Sequence, residues 1–207
     1  MQYNVLRQQI QLDLGGRADL VPSIIDMEVA QRVSYYQTEN FASQNDLDFS
    51  IVTTPGASIY PLPQYTIEVT GMWYLLGIST WIKLWPENFE TLVELDDIQP
   101  TTEAPPNLYA IYGTNFKLFM TPDNEYPLKI ARTAMIPPPV NDGDENFWTN
   151  AGFALIRYAT DATLSRGFLN IPSMGDEYDS LALRELKRLQ EFSEIIQSSK
   201  QITPHLN

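Results

Sequence analysis

The chain contains no cysteine and a single histidine, His205, among its 207 residues. Without cysteine there are no disulfides and no thiolate ligands for zinc or iron. His205 stands near the C-terminal end, where a general base would lack the fixed position that proton transfer needs. We therefore expect no catalytic histidine, no metal site and no cofactor site in this chain.

Basic residues are also scarce. Lysine and arginine number 13 against 26 aspartate and glutamate residues, which gives a formal net charge of −13. The basic residues form no cluster, whereas proteins that bind nucleic acid neutralise phosphates with clustered cations. Residues 51–147 carry most of the negative charge, with 12 acidic and 4 basic residues. We expect no tight binding to DNA.

Long apolar runs are absent. No stretch approaches the roughly 20 consecutive apolar residues that cross a bilayer. The first residues lack the basic and then apolar layout of a signal peptide. We expect a protein that is made in the cytoplasm and has no membrane partner.

Motifs that carry catalysis are missing as well. The acidic run at residues 142–146 resembles a calcium loop, but it lacks the acid spacing and the terminal glutamate of an EF-hand. Gly15 and Gly16 follow a helical pattern without the Lys-Ser/Thr of a phosphate loop. The carboxylates are otherwise scattered, so the sequence predicts that the chain is not an enzyme. A hydrolase that uses two facing carboxylates is the alternative.

Helical periodicity marks both ends of the chain. Residues 3–14 predict a short helix, and a second helix begins near Pro22, which suits a first-turn position. Apolar residues then recur at helical spacing, at Ile25, Val29, Val33 and Tyr36. After residue 147 a helical face rich in small residues predicts close packing, and a last helix is predicted from Asp176 to about Gln197.

The middle of the chain has the alternation and turn signals of β-strands. Residues 108–112, 116–120 and 126–133 predict a three-stranded meander, and short strands are predicted at 72–76 and 80–84. A short helix is predicted after Pro86. Because neither helical end can bury its apolar stripe alone, we expect the two ends to pack together.

The predicted fold class is α+β, with a helical bundle from the N- and C-terminal segments and an inserted antiparallel β module. The predicted division has four parts. N-terminal helices occupy 1–47, the β module 48–146, C-terminal helices that pack on the N-terminal ones 147–197, and an extended tail 198–207.

Several motifs follow one another in a recognisable order. An extended Ile59-Tyr-Pro-Leu-Pro63 segment is followed by the Pro106 to Gly113 strand and a Leu118-Phe-Met-Thr-Pro-Asp turn. Trp148 and the Leu155-Ile-Arg-Tyr-Ala159 core close the pattern. In this order and spacing, residues 20 to 195 resemble the head-to-tail adaptor proteins (connector or head-completion proteins) of tailed bacteriophages.

The resemblance implies a structural virion protein of the phage neck, made in the host cytoplasm and without catalytic residues or cofactors. Such adaptors are monomeric when free and form dodecameric rings on the portal. The implied partners are the portal protein, tail or nozzle proteins, and further copies of the chain, while genomic DNA passes without tight binding. The C-terminal tail would be the portal-binding arm, with Ile202, Pro204, His205 and Leu206 as its contact residues.

Two other readings stay open. One alternative is that the chain is another virion structural protein, such as a stopper, a tail-completion protein or a baseplate piece. Alternatively, the aromatic middle segment is a glycan-binding module, which exposed Trp73, Trp81 or Trp85 lining a groove would favour.

Overall fold

The computed structural model describes residues 1–39, 41–98 and 103–199. The fold class is α+β, as the sequence predicts, and the chain divides into two compact units. The helical unit combines residues 1–44 with the chain from 136 onward, and the β unit is Asn45–Met135.

The helices are α1 (Tyr3–Asp13), α2 (Pro22–Tyr36), α3 (Phe89–Ile98), α4 (Phe153–Gly167) and α5 (Pro172–Ser199). The strands are β1 (Asn45–Asp48), β2 (Ile59–Pro61), β3 (Thr66–Leu76), β4 (Thr80–Pro86), β5 (Leu108–Tyr112), β6 (Asn115–Phe119) and β7 (Leu128–Ala134).

Helix α4 is the centre of the helical unit. It packs against α1, α2 and α5, and it is buried on most of its circumference. The apolar stripe predicted for α2 is buried at all four positions. The predicted small-residue face of α4 is present in part, because Ala159 and Ala162 lie in the interior, whereas Ala151 is exposed and lies before the helix. These stripes make one hydrophobic core from two segments that are far apart in sequence.

The close approach of α5 to α4 has a steric basis at Gly175. A β-carbon at this position would lie 2.5 Å from Cγ of Arg166 and 3.0 Å from the carbonyl oxygen of Ala162. Any larger residue would therefore push the two helices apart.

A buried polar group fixes the place where the chain re-enters the helical unit. The Gln37 side-chain amide donates to the Ile136 carbonyl, and the Ile136 amide donates to Gln37 Oε1 at 3.1 Å. The indole Nε1 of buried Trp148 donates to the same Ile136 carbonyl at 2.8 Å. Because all these groups are satisfied, the polar cluster is stable inside the core.

The β unit contains a seven-stranded sheet in the order β1-β7-β3-β4-β5-β6-β2. Its pairings are antiparallel except for a short parallel contact between β4 and β5. One face of the sheet carries the main core of the unit, which includes Met72, Leu84, Leu128 and Ile130. Helix α3 packs on β5 and β6 around a separate small cluster at Leu92, Ala110 and Phe119.

Several sequence predictions differ from the structure. The meander prediction was wrong, because β7 pairs with β3 and β1 and not with β6. The pattern at 72–76 is the end of one long strand, β3, which contains register shifts near Gly71. Helix α4 begins at Phe153, because the Asn146 side chain accepts hydrogen bonds from the amides of Trp148 and Thr149 and holds a turn there.

The unit boundaries also lie elsewhere than the predicted divisions at 47/48 and 146/147. The proline run 137–139 belongs to the helical unit, since Ile136 is already bound to Gln37. Helix α5 continues through residue 199, into the segment predicted as a tail, and the remainder of that tail lies outside the described residues.

Replacing Leu155 with aspartate tests the central position of α4. Leu155 is fully buried, so a charge there should destabilise the helical unit by more than about 4 kcal/mol. We expect loss of its cooperative melting transition by circular dichroism. Leu183→Asp is the control, because Leu183 is exposed on α5 and a surface change should cost less than about 0.5 kcal/mol. Equal melting of the two variants would contradict this packing.

Candidate functional site

The residues predicted to bind the portal, Ile202, Pro204, His205 and Leu206, lie outside the described residues. The described part of the chain presents a different candidate, a surface on the β unit. It is built from the face of the sheet that does not carry the main core.

Strand register brings three tryptophans and two lysines to this face. Trp73 on β3 lies opposite Lys83 on β4 and Lys129 on β7, and Leu75 lies opposite Trp81. Residues directly opposite each other share a face, and alternation puts Trp85 on the same face as Lys83. We call this set, Trp73, Trp81, Lys83, Trp85 and Lys129, the Trp–Lys face.

Helix α3 covers only half of this side of the sheet. Leu108 pairs with Trp85 across the parallel contact, and Leu108 packs under α3 with Ala110 and Phe119. The β3, β4 and β7 half carries no such helix in the described part of the chain. Trp85 is 59% exposed there, and Leu47 and Phe49 at the margin are each 54% exposed. Exposed apolar groups of this size in one patch are typical of interaction surfaces.

The lysines lie against the indole rings. The Lys129 amine is 4.7 Å from the ring centres of both Trp73 and Trp81, and the Lys83 amine is 4.7 Å from that of Trp85. A cation over an aromatic face gains about 0.5–1 kcal/mol at exposed sites. The contacts therefore hold both amines at defined positions on the surface.

The absence of a side chain at Gly71 leaves room for the indole ring of Trp73. A β-carbon on Gly71 would lie 2.6 Å from Cη2 of Trp73, so the indole lies directly over the glycine. The ring is thus held between the backbone of β3 and the Lys129 amine. Its orientation is set before any partner arrives.

The charges of the β unit single out the same two lysines. The unit contains four basic and eleven acidic residues. Lys117 is paired with Asp96, and Arg132 with Asp46 and Asp48. Within the described ranges, neither Lys83 nor Lys129 has a carboxylate at ion-pair distance.

The aromatic pattern of the sequence indicated the three tryptophans as candidate binding residues, whereas the two lysines were not predicted. The signal that identifies them is the alternation Trp81-Ile-Lys83-Leu-Trp85, in which Leu84 faces the core and its neighbours face outward. Period-two patterning assigns the lysines to the tryptophan side.

Among the described residues, the acid with the most strongly raised pKa lies in the helical unit. Asp161 on α4 is fully buried, and neither of its oxygens receives a hydrogen bond from a donor in the described structure. Its hydrogen-bonding neighbour is the Asp13 carboxyl of α1. Arg157 binds Asp13 through two nitrogens, at 2.5 and 2.9 Å.

The pKa values of the two carboxyls move in opposite directions. Burial disfavours the charge of Asp13, but hydrogen bonds from Arg157 and Gln9 outweigh it and lower the pKa of Asp13 below its usual value. Burial and the nearby charge of Asp13 raise the pKa of Asp161 to about 9. Asp161 therefore keeps its proton at neutral pH and donates it to Asp13. The pair joins α4 to α1.

The acidic loop at 142–146 is also part of the helical packing. Asp142 binds Arg7 at 3.0 Å, and Asp144 accepts hydrogen bonds from the amides of Val140 and Asn141. These amides lower the pKa of the Asp144 carboxyl. The described residues hold no group of three or more histidine, cysteine or acidic side chains placed to bind a metal. None of the described helices is long and apolar enough to span a membrane.

The variant Asp161→Asn tests whether the Asp161 carboxyl is protonated in the folded protein. In the folded wild type Asp161 is protonated up to about pH 9, whereas in the unfolded chain it ionises near pH 4. Its contribution to stability is therefore complete below about pH 4 and is lost as the pH rises towards 9, at up to about 1.4 kcal/mol per pH unit. Denaturant titrations from pH 5 to pH 8 should show this decline in the wild type and a flatter profile in Asp161→Asn. Parallel profiles would mean that Asp161 is ionised in the fold.

Comparison with known proteins identifies a family for both units. The family model described as SU10 adaptor protein matches residues 1–204. A comparison with curated proteins finds no match.

Proposed function

This chain belongs to the SU10 adaptor protein family, and we propose that it forms a ring that joins the portal to the tail in the neck of a phage particle. The observation that carries the proposal is the match over residues 1–204, which includes both the helical and the β unit. Membership of this family makes the chain a structural adaptor protein of a phage virion, and it indicates a structural and not an enzymatic role.

The proposed partners follow from a position in the neck. The portal protein lies on one side, tail or nozzle proteins lie on the other, and further copies of the chain complete the ring. A dodecamer on the portal would match one copy to each portal subunit. We assign the grip on the portal to the C-terminal arm, through Ile202, Pro204, His205 and Leu206, because a polar segment of this kind can become ordered on binding.

The charge of the chain suits a channel for DNA. Twelve copies at −13 each give a ring with on the order of 150 negative charges. Where these charges face the lumen, they repel the phosphates of the genome, and DNA passes without adhering. Tight binding of duplex DNA at physiological salt would contradict this part of the proposal.

Electron microscopy of the protein mixed with its cognate portal ring tests the central proposal. We expect an added ring of density on one end of the portal, at one copy per portal subunit. A stopper or tail-completion protein would instead bind only after another neck component is in place. If the chain stays monomeric beside the portal, the direct portal contact is wrong.

Removal of residues 198–207 tests the proposed arm. The truncated chain should keep its melting temperature, because this segment is mostly polar, and it should lose most of its binding to the portal. The full-length chain with Ser198 and Ser199 replaced by alanine is the control for changes at the end of α5. Normal assembly of the truncated chain would rule out the arm.

A further inference from the structure

We propose that the Trp–Lys face is the docking site for an acidic protein segment of a neighbouring virion protein. Carboxylates of that segment would bind Lys83 and Lys129, while apolar side chains beside them would cover the exposed indole of Trp85 and the exposed side chains of Leu47 and Phe49. The inference rests on the proposed function for the identity of the neighbour, and on the surface itself for the chemistry.

The first reason is the uncovered half of the sheet. Helix α3 buries one half of this side, while the other half leaves Trp85, Leu47 and Phe49 more than half exposed. Burying apolar surface gains about 25 cal/mol for each Å² removed from water. Tryptophan is also among the residues that most often carry binding energy in protein interfaces. A partner that covers this half would therefore gain affinity from groups already in place.

The second reason is charge. The β unit has eleven carboxylates, yet among the residues that the structure describes Lys83 and Lys129 have none at ion-pair distance, whereas Lys117 and Arg132 are paired. The two unpaired amines stand beside three indoles, where the local surroundings are partly apolar. A carboxylate there makes a charge-assisted hydrogen bond, which is stronger than a neutral one.

The third reason is the fixed geometry of the site. Trp73 is held between Gly71 and Lys129, and Trp81 is braced by Phe49 at a ring-centre distance of 6.0 Å. Side chains that are already ordered lose little conformational entropy on binding. The surface is thus built for a partner of matching shape.

Other occupants fit less well. A polyphosphate such as DNA carries charge along its whole length and meets the surplus carboxylates of the β unit, whereas a short protein segment can place single carboxylates at the two lysines and apolar side chains on Trp85. A sugar ring stacks on an open indole face, but Trp73 has the backbone of Gly71 on one side and an amine on the other.

A second copy offers an acidic stripe at Glu87, just before α3, and at Glu90, Glu94 and Asp97 on α3. That stripe lies on the same side of the sheet as the Trp–Lys face. Two copies that exchanged these surfaces would form a closed two-fold pair, which cannot continue into a ring.

The first experiment follows the indole N–H signals of the tryptophans by NMR, with a random copolymer of glutamate and tyrosine as the probe. We expect the signals of Trp73, Trp81 and Trp85 to shift, while Trp148, buried in the helical unit, stays unchanged. Lys83→Gln with Lys129→Gln should weaken the copolymer at least tenfold. The control pair Arg184→Gln with Lys187→Gln removes the same charge from α5 and should leave these shifts intact.

Parallel titrations with a single-stranded oligonucleotide and a chitin oligosaccharide define the class of ligand. Stronger binding of either one than of the copolymer would overturn the proposal. So would a concentration-dependent dimer of the free chain that Glu90→Lys with Glu94→Lys abolishes, because the face would then belong to a second copy.

The second experiment separates this inference from the proposed function. Wild type and the Lys83→Gln, Lys129→Gln variant are compared in the assembly of portal, adaptor and tail components. We expect the wild type to assemble and the variant to lose at least tenfold in affinity for one neighbour. If the variant assembles like the wild type, the docking site is wrong while the adaptor function stands. If the wild type itself fails to assemble, the adaptor function is wrong, and the NMR titration alone decides whether the face binds acidic segments.

Discussion

The reciprocal hydrogen bonds between Gln37 and Ile136 hold together the two ends of the inserted β unit. Residue 37 lies just before the chain leaves the helical unit, and residue 136 is where it returns. The Gln44 side chain extends the same network by donating to the Gln37 carbonyl at 2.8 Å. Because these groups are buried, losing one partner would leave another unsatisfied at a cost of about 1–3 kcal/mol. The network therefore allows a β unit of 91 residues to interrupt a helical core without disturbing it.

Helix α4 is the centre of this helical core, and it also carries a buried acid, Asp161, whose charge would be unfavourable there. The helix packs against three others, so even its polar residues Thr160, Asp161 and Ser165 are buried. A charged Asp161 would be costly there, and the raised pKa of its carboxyl keeps it neutral at neutral pH. Arg157 then balances the one remaining negative charge. Together with Arg157, the two acids consequently form a group without net charge that links α4 to α1.

The sequence was most informative where a pattern is local. The stripe from Ile25 to Tyr36 and the small residues of α4 predicted the helical core, because burial at helical spacing depends on neighbours within two turns. Strand pairing was less predictable. β7 follows β6 in sequence but pairs with β3 and β1. Strand pairing depends on which side chains each face of the sheet buries, and not only on the order of the strands in the chain. The buried state of Asp161 was also hidden, because an acid on a helix normally indicates the solvated side.

If the Trp–Lys face is a docking site as proposed, it gives an acidic protein a way to direct a specific contact. On a surface where carboxylates outnumber cations, most encounters between two acidic proteins are repulsive. A few unpaired lysines then have a disproportionate effect on orientation, since only one approach brings a partner's carboxylates to them. The tryptophans supply the apolar contact that such a pair of charges cannot supply alone. In the proposed contact, the general repulsion and the local attraction thus both come from the same charge distribution.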